Sequence, residues 1–400
     1  MLTVPARLER SRLPERAAFT GASVHQAQLE LDAAPRPPST IDLTHADTRR
    51  FPPPQYALDL FREAVLGGTE PYTPFAGDPG VIDDLAERLS RLLGVPVDPQ
   101  RELLITAGTQ AGLFCSLAAL VEDDMQVCLP DPDYMESERI LRFFGASVLH
   151  LPLSRDGEDI APDLAELERR AQQGARVLVF SHPNNPTGAV YSRHAIATIA
   201  AIACNYDMTI VVDELYFRLV YDGRTYHHLA AEPGMADRCV TLLGPSKTEQ
   251  LTGYRLGCLI GPGRIIARAT EVHARAVVRA PAYAQHVLRG WLGADDAFVA
   301  QRVADYQRVR DLAFECLSTM DFVEVRRPAA TTYMFPVIDR LGGDDLALAK
   351  LLITEAGVVV TPGHQFGPRG SGSLRICFAQ DEGRLVEALD RLAWTLGHAG

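Results

Sequence analysis

Only two of the 400 residues are lysine, Lys247 and Lys350, although Lys and Arg together number 39. A guanidinium stays charged in a protein and cannot attack a carbonyl. An amine can, once burial or a neighbouring cation lowers its pKa. GC-rich coding accounts for scarce lysine but not for the place of Lys247. It follows the apolar run Val240-Thr-Leu-Leu and the turn Gly244-Pro-Ser246, and Arg255 stands eight residues on in Gly253-Tyr-Arg255-Leu-Gly257. An amine nucleophile beside a glycine-spaced turn that carries a cation is a candidate for covalent chemistry.

Other chemistry-bearing residues also follow apolar runs, where open parallel sheets place their ligands. Leu103-Leu-Ile leads into Thr106-Ala-Gly108-Thr109-Gln110. A Gly/Thr turn opening a helix suits a phosphate, or serves as a plain N-cap. Val127-Cys-Leu leads into Asp131-Pro-Asp-Tyr134, an aromatic at the sheet's mouth or a packing tyrosine. Val177-Leu-Val-Phe leads into His182-Pro-Asn184-Asn185-Pro-Thr-Gly188, two amides in a loop stiffened by proline. Thr209-Ile-Val-Val leads into Asp213-Glu214-Leu-Tyr216. A carboxylate ending such a strand is partly buried and needs a cation or proton donor. Amine, carboxylate, amide, phenol, aromatic face and phosphate nest with an arginine together meet the needs of pyridoxal phosphate.

The elements that must position these residues follow from periodicity. Short β-rich runs at 103–105, 127–129, 148–151, 177–180, 209–212, 240–243 and 256–260 alternate with helical spacing at 111–121, 135–144, 164–173 and 192–206. That alternation predicts an α/β fold, a mostly parallel, seven-stranded-type sheet covered by helices. Beyond about residue 285 short strands at 322–325, 332–335, 358–360 and 374–378, a helix at 346–355 and a terminal helix predict a smaller α+β C-terminal domain. Residues 1–40, rich in Arg, Ala and Pro, read as an arm with one short helix. Residues 41–285 read as a large cofactor-binding domain, its segment 41–52 near the substrate, and 286–400 as the small domain.

In order and spacing these motifs resemble the class I/II aminotransferase family of fold-type I pyridoxal-phosphate enzymes, over roughly residues 41–398. The resemblance implies a role for each residue. Lys247 would carry the cofactor as a Schiff base and later shuttle the substrate's α-proton. Asp213 would keep the pyridine nitrogen protonated. Asn185 and Tyr216 would bond the phenolic oxygen, and Tyr134 would stack on the ring. Gly108, Thr109, Gln110 and Arg255 would hold the phosphate, with Ser246 as a helper. Arg375, in Ser373-Leu-Arg-Ile, matches the arginine that grips the substrate α-carboxylate. Tyr72, in Glu70-Pro-Tyr-Thr-Pro, matches a tyrosine that reaches the phosphate across a dimer interface, so a homodimer with shared active sites is implied.

Four departures from the family pattern bear on function, one at the phosphate and three around the family's substrate pocket. Gly244-Pro-Ser-Lys247 lacks one usual hydroxyl. Leu43-Thr-His45-Ala-Asp47 has Ala46 where glycine is usual and adds His45 and Asp47, either loop residues or contacts to a polar or cationic side chain. Gly77-Asp78-Pro-Gly-Val-Ile-Asp83 replaces a familiar pattern, and Ala330 replaces a common glycine before Tyr333. His182 reads as structural and His227-His228 as a loop pair.

Composition limits the alternatives. A net charge of −12 without a basic run argues against a nucleic-acid surface. No apolar stretch reaches a membrane span and the N-terminus lacks a signal core. Seven cysteines without C-x-x-C spacing fit a reducing cytoplasm and no metal framework. The leading expectation is an aminotransferase acting on a free amino acid, polar or basic, with a keto acid as acceptor. A second keeps the cofactor for cyclisation, elimination or oxidation in a natural-product pathway, with arginine or hydroxyarginine as substrate (capreomycidine-synthase-like). A ligand-sensing regulator is disfavoured, because about 40 residues before the core leave no helix-turn-helix.

Overall fold

The computed structural model describes residues 4–13, 23–156, 159–293 and 295–399. Eight strands build the central sheet: β1 Leu103–Thr106, β2 Gln126–Asp131, β3 Ser147–Asp156, β4 Asp159–Pro162, β5 Val177–Ser181, β6 Thr209–Asp213, β7 Cys239–Leu243 and β8 Gly257–Ile260. Their spatial order is β1-β8-β7-β6-β5-β2-β3-β4. β2, β3, β5, β6 and β7 pair in parallel, while β8 runs antiparallel to both neighbours. The seven expected strands are present. β4, which the sequence reading lacked, is an antiparallel extension of the β3 hairpin. β5 and β7 are buried throughout and β6 along its middle, as their unbroken apolar runs require of a sheet covered on both faces.

Covering helices include Thr109–Leu120, Arg193–Asn205 and Gly263–Ala276. Two more precede the sheet, Gln55–Leu66 and Pro79–Leu93. The second has a complete set of end signals. Asp78 accepts from the N–H of Val81, Pro79 occupies the first turn, and Gly94 closes the helix at φ 70°.

Beyond the sheet, Leu374–Cys377 pairs antiparallel with Tyr333–Met334 and with Thr361–Pro362. The helices Asp296–Ser318 and Glu382–Gly397 pack on this layer. We keep the division at residues 40 and 285 as a proposal, and packing crosses both boundaries. Ile41–Asp42 pairs with Val358–Val359, and Ala27, Leu31, Ile41 and Leu43 join the C-terminal core. Val287, Leu288 and Trp291 pack with Leu85 and Leu89 against the large sheet. Among the described residues of 1–40 two helices stand, Ala6–Ser11 and Val24–Asp32, where one was expected. Among the described residues no helix is long and apolar enough to cross a membrane.

Candidate active site

The carboxyl ends of β1, β2, β5, β6 and β7 converge on a cavity of about 320 Å³, closed on its far side by Tyr333 and Arg375 of the C-terminal layer. After β1, Gly108 takes φ +82°, and a Cβ there would stand 2.5 Å from Nη2 of Arg255. Gly257 is as constrained, since its Cβ would meet the Thr109 amide nitrogen at 2.5 Å. Two glycines thus let the 106–110 turn and the Arg255 segment close on each other. They bring a guanidinium onto the N-terminus of helix Thr109–Leu120, whose first N–H groups have no partner within the helix. An anion is the natural occupant. Ser246 is buried at the cavity edge, and its carbonyl accepts from the Thr252 hydroxyl at 2.8 Å.

Lys247 and Asp213 both open onto this cavity. Asp213 ends β6 half-buried, and Oδ1 accepts from the N–H of Leu215 at 3.0 Å. Desolvation dominates its titration. Against the pull of the Leu215 N–H and the Lys247 charge, burial raises the carboxyl from 3.8 to about 6, helped by Glu214. A carboxylate held this way gains from a protonated ring nitrogen beside it.

The Tyr216 hydroxyl donates to the Tyr333 hydroxyl at 3.1 Å, and burial beside that phenol drives its pKa well above 10. Nζ of Lys247 stands 6.0 Å from the Tyr216 ring centre. The Tyr134 hydroxyl donates to Oε1 of Gln110 at 3.0 Å, which ties the β2-end aromatic to the phosphate turn. Asn185 is anchored by its N–H to Oγ of Ser181 at 3.0 Å, and its Oδ1 accepts from Nη1 of Arg375 at 3.2 Å.

Arg375 is 7% exposed. Its guanidinium lies 4.1 Å from the Tyr333 ring centre and 4.8 Å from that of Phe366, and Nη2 reaches the Thr44 carbonyl at 3.3 Å. Its Nε is buried without a hydrogen-bond partner among the described residues. A planar fork with a donor to spare is built for a carboxylate. Arg375→Lys should raise KM for an α-amino acid by about 10–100-fold, since the lysine keeps charge but loses two-bond geometry. Initial-rate kinetics checks this, and an unchanged KM would place the carboxylate elsewhere.

The remaining sequence candidates divide. His45 lines the cavity, its ring 73% exposed and Nδ1 3.0 Å from the Thr44 hydroxyl. Asp47 does not line it. Its Oδ1 accepts from the N–H groups of Arg49 at 2.8 Å and Arg50 at 3.3 Å, so the carboxylate caps a turn. Tyr72 is 76% exposed, outside the cavity of its own chain, under the Arg279 guanidinium at 4.9 Å. His182 is a buried spacer stacked between Tyr191 and Tyr226. His227 and His228 lie in a loop, as expected, and His228 pairs there with the buried Glu214 at 2.5 Å. The described residues hold no metal-type cluster.

Three residues escaped the sequence reading. Tyr333, the partner of Tyr216 and Arg375, lies 117 residues from the former. Glu136 lines the cavity directly after Tyr134 and Met135, paired to Arg139 at 2.8 Å. Asp133 is buried and accepts from the N–H groups of Tyr134 at 2.6 Å and Ser181 at 3.1 Å, and from Nδ2 of Asn184 at 3.0 Å. Burial raises its carboxyl to about 8 despite those donors. It clamps the loop bearing Tyr134 to the loop bearing Asn185. The signal for Asp133 was present in Asp131-Pro-Asp-Tyr134, a second acid too close to the strand end to be solvated.

The donor set lining one cavity fits pyridoxal phosphate: an amine, a carboxylate, a phenol, an amide, and a glycine cradle that a Cβ would fill. When bound, that group supplies an electron sink for the bonds at an amino acid's α-carbon.

Comparison with known proteins agrees. The profile of the family described as Aminotransferase class I and II matches residues 41–392. The chain is 30% identical over 344 residues to aromatic-amino-acid aminotransferase 2 of Thermococcus litoralis, covering 86% of this chain and 88% of that one. An aspartate aminotransferase structure from Rhodobacter sphaeroides superposes with a TM-score of 0.88 at 40% identity, covering 92% and 94%. The N-succinyldiaminopimelate aminotransferase structure from Mycobacterium tuberculosis superposes with 0.85 at 27% identity, covering 98% and 100%.

Proposed function

Because the chain belongs to the class I and II aminotransferases, which depend on pyridoxal phosphate, we propose that it moves the amino group of a free polar or basic amino acid to a keto acid. The observation that carries this reading is the opening of Lys247, Asp213 and Arg375 onto one cavity. Arg375 orients the substrate by its α-carboxylate. Lys247 is the group placed to take and return the α-proton. Asp213 holds a positive charge at the ring nitrogen, and Tyr216 with Asn185 orients the opposite edge.

The substrate class rests on the polar lining. Asp47 caps a turn, so the polar lining is carried by Glu136 and His45. Glu136 is half-buried beside Tyr134, with Oε1 paired to Arg139, which leaves Oε2 to take a cationic or hydrogen-bonding side chain. An apolar side chain would offer Oε2 no partner, at about 1–3 kcal/mol. Relatives include aromatic-amino-acid and aspartate aminotransferases, whose substrates are those proteins' own.

The test is a panel of arginine, lysine, glutamine, aspartate, leucine and phenylalanine, with and without a keto-acid acceptor. Polar and basic substrates should exceed leucine and phenylalanine in kcat/KM, and Glu136→Gln should lower the basic ones by about 5–50-fold. Preference for leucine in both proteins would refute the substrate class. Ammonia or a cyclic product formed without acceptor would refute transamination.

We further propose a homodimer. Tyr72 and Phe75 lie exposed under Arg279, an aromatic pair and a cation suited to a second copy. Light scattering should give twice the 43.7 kDa chain mass. Seven unpaired cysteines, Cys204 exposed among them, support a reducing, cytoplasmic compartment.

A further inference from the structure

The segment after Lys247 is held in an unusual way. Gln250 and Arg255, both non-glycine, take φ of 58° and 55° in the left-handed region. L-residues rarely stay there unless their surroundings fix them. Around Gln250 two sets of bonds do so. Gln250 donates from Nε2 to the Tyr306 hydroxyl at 2.5 Å. Glu249, 1% exposed, accepts through Oε1 from Nη1 of Arg218 at 2.7 Å. The same guanidinium forks onto Asp295, with Nη1 to Oδ2 at 2.7 Å and Nη2 to Oδ1 at 2.9 Å. Asp296, fully in solvent, adds a weak contact at 3.4 Å.

The cluster lies on the seam between the two halves of the molecule. Phe217 packs in the core under the large sheet and Leu219 in the C-terminal core, with Arg218 between them. Trp291 belongs to the first core and Tyr306 to the second, with Asp295 between them at the N-cap of helix Asp296–Ser318. Asp295 makes no side-chain cap there, because its carboxylate is taken by Arg218. Leu251, just past Glu249 and Gln250, packs in the first core. Two acids share one buried guanidinium, and Oε2 of Glu249 has no partner among the described residues. The Tyr56 hydroxyl, also buried without a partner, faces both acids.

A buried ion cluster with an orphan oxygen is a poor way to gain stability alone, since well-packed apolar residues do as well or better. Its geometry suggests another use. We propose that Arg218, Glu249 and Asp295, with Gln250 and Tyr306, are positioning residues that lock the Lys247 segment to the start of helix Asp296–Ser318. They thereby fix the amine relative to the C-terminal layer that carries Arg375 and Tyr333. Arg218 also follows Tyr216 by two residues, so one guanidinium fixes two cavity-lining segments to that helix. Desolvation raises Glu249 to about 7, with Arg218 opposing and Asp295 reinforcing the rise, as expected of an acid that must share its cation.

This inference rests on Lys247 as the cofactor-bearing amine, and its test separates the two. Holoenzymes of wild type, Glu249→Gln, Arg218→Lys and Tyr306→Phe are titrated by absorbance to find the pH midpoint of the lysine-bound cofactor band. Thermal midpoints, kcat and KM are measured in parallel. Glu249→Gln and Tyr306→Phe should each move the absorbance midpoint by about half a pH unit or more and lower kcat about 5–20-fold, with less than a twofold change in KM. Arg218→Lys, which keeps one ion pair but not the fork, should fall between these and wild type. Tyr306→Phe removes one oxygen and no charge, so it carries the test if Glu249→Gln does not fold. Unchanged absorbance midpoints and kcat in folded variants would overturn the proposal. So would losses of activity that follow thermal stability alone. Borohydride labelling of wild type away from Lys247 would instead overturn the functional reading beneath it.

Discussion

Lys247→Ala should lower kcat by about 10⁴-fold or more while the protein still binds its cofactor non-covalently. Alanine removes both the amine that forms the Schiff base and the base positioned for the α-proton, so no residual pathway shares its role. The cradle of Gly108, Thr109 and Arg255 is untouched by the change, and so is Asp213, so cofactor affinity should survive. Borohydride reduction of wild type and peptide mapping should put the pyridoxyl group on Lys247. Lys350 is the sole competing lysine. It forms an ion pair with Glu30 and lines no part of the cavity. Label on Lys350, or none, would refute the assignment. Recovery of partial turnover by added small primary amines would support a missing proton shuttle over a collapsed site.

Much of the candidate site's lining was legible because parallel sheets impose order on the chain. The apolar runs at 103–105, 127–129, 177–180, 209–212 and 240–243 end at the same edge, so Thr109, Tyr134, Asn185, Asp213 and Lys247 could be gathered without knowing any distance between them. What sequence order does not encode is which side chains the C-terminal layer brings back. Arg375 was found through resemblance to a family motif, and Tyr333 not at all, though both complete the cavity. Asp47 and His45 illustrate a different limit. Both are polar residues in one loop, and nothing local distinguishes a carboxylate that caps its own turn from one that faces a ligand. Backbone geometry made that choice, through the N–H groups of Arg49 and Arg50. Glu136 was hidden for the opposite reason. It sits in the first turn of helix Met135–Phe143, where an acid is expected to complement the dipole, so its second role in the cavity had no separate signal. The seam cluster was beyond reach, since Arg218, Glu249 and Asp295 become neighbours only once the two cores have formed.

Asp213→Asn should separate chemistry from stability. In the proposed role the carboxylate would face a protonated ring nitrogen of the bound cofactor, and an amide could not stabilise that charge. Loss of such an electrostatic partner lowers kcat by about 10²–10³-fold or more. The cofactor-free protein should respond in the other direction. Burial raises the Asp213 carboxyl from 3.8 to about 6 in the folded chain. A folded pKa above the unfolded one means the folded state binds the proton more tightly. The associated stability is complete below about pH 4 and lost as pH rises through 6. Above that range wild type carries a desolvated charge that asparagine does not, worth up to roughly 2 kcal/mol once the opening onto the cavity is allowed for. Asparagine can still accept the Leu215 N–H, so nothing else need change. At pH 8 the cofactor-free variant should therefore melt a few degrees above cofactor-free wild type, and the difference should vanish near pH 4. Calorimetry of both proteins with and without cofactor checks this. A variant that retains turnover refutes the catalytic role. One that is inactive and less stable at pH 8 shows instead that the carboxylate's charge holds the fold.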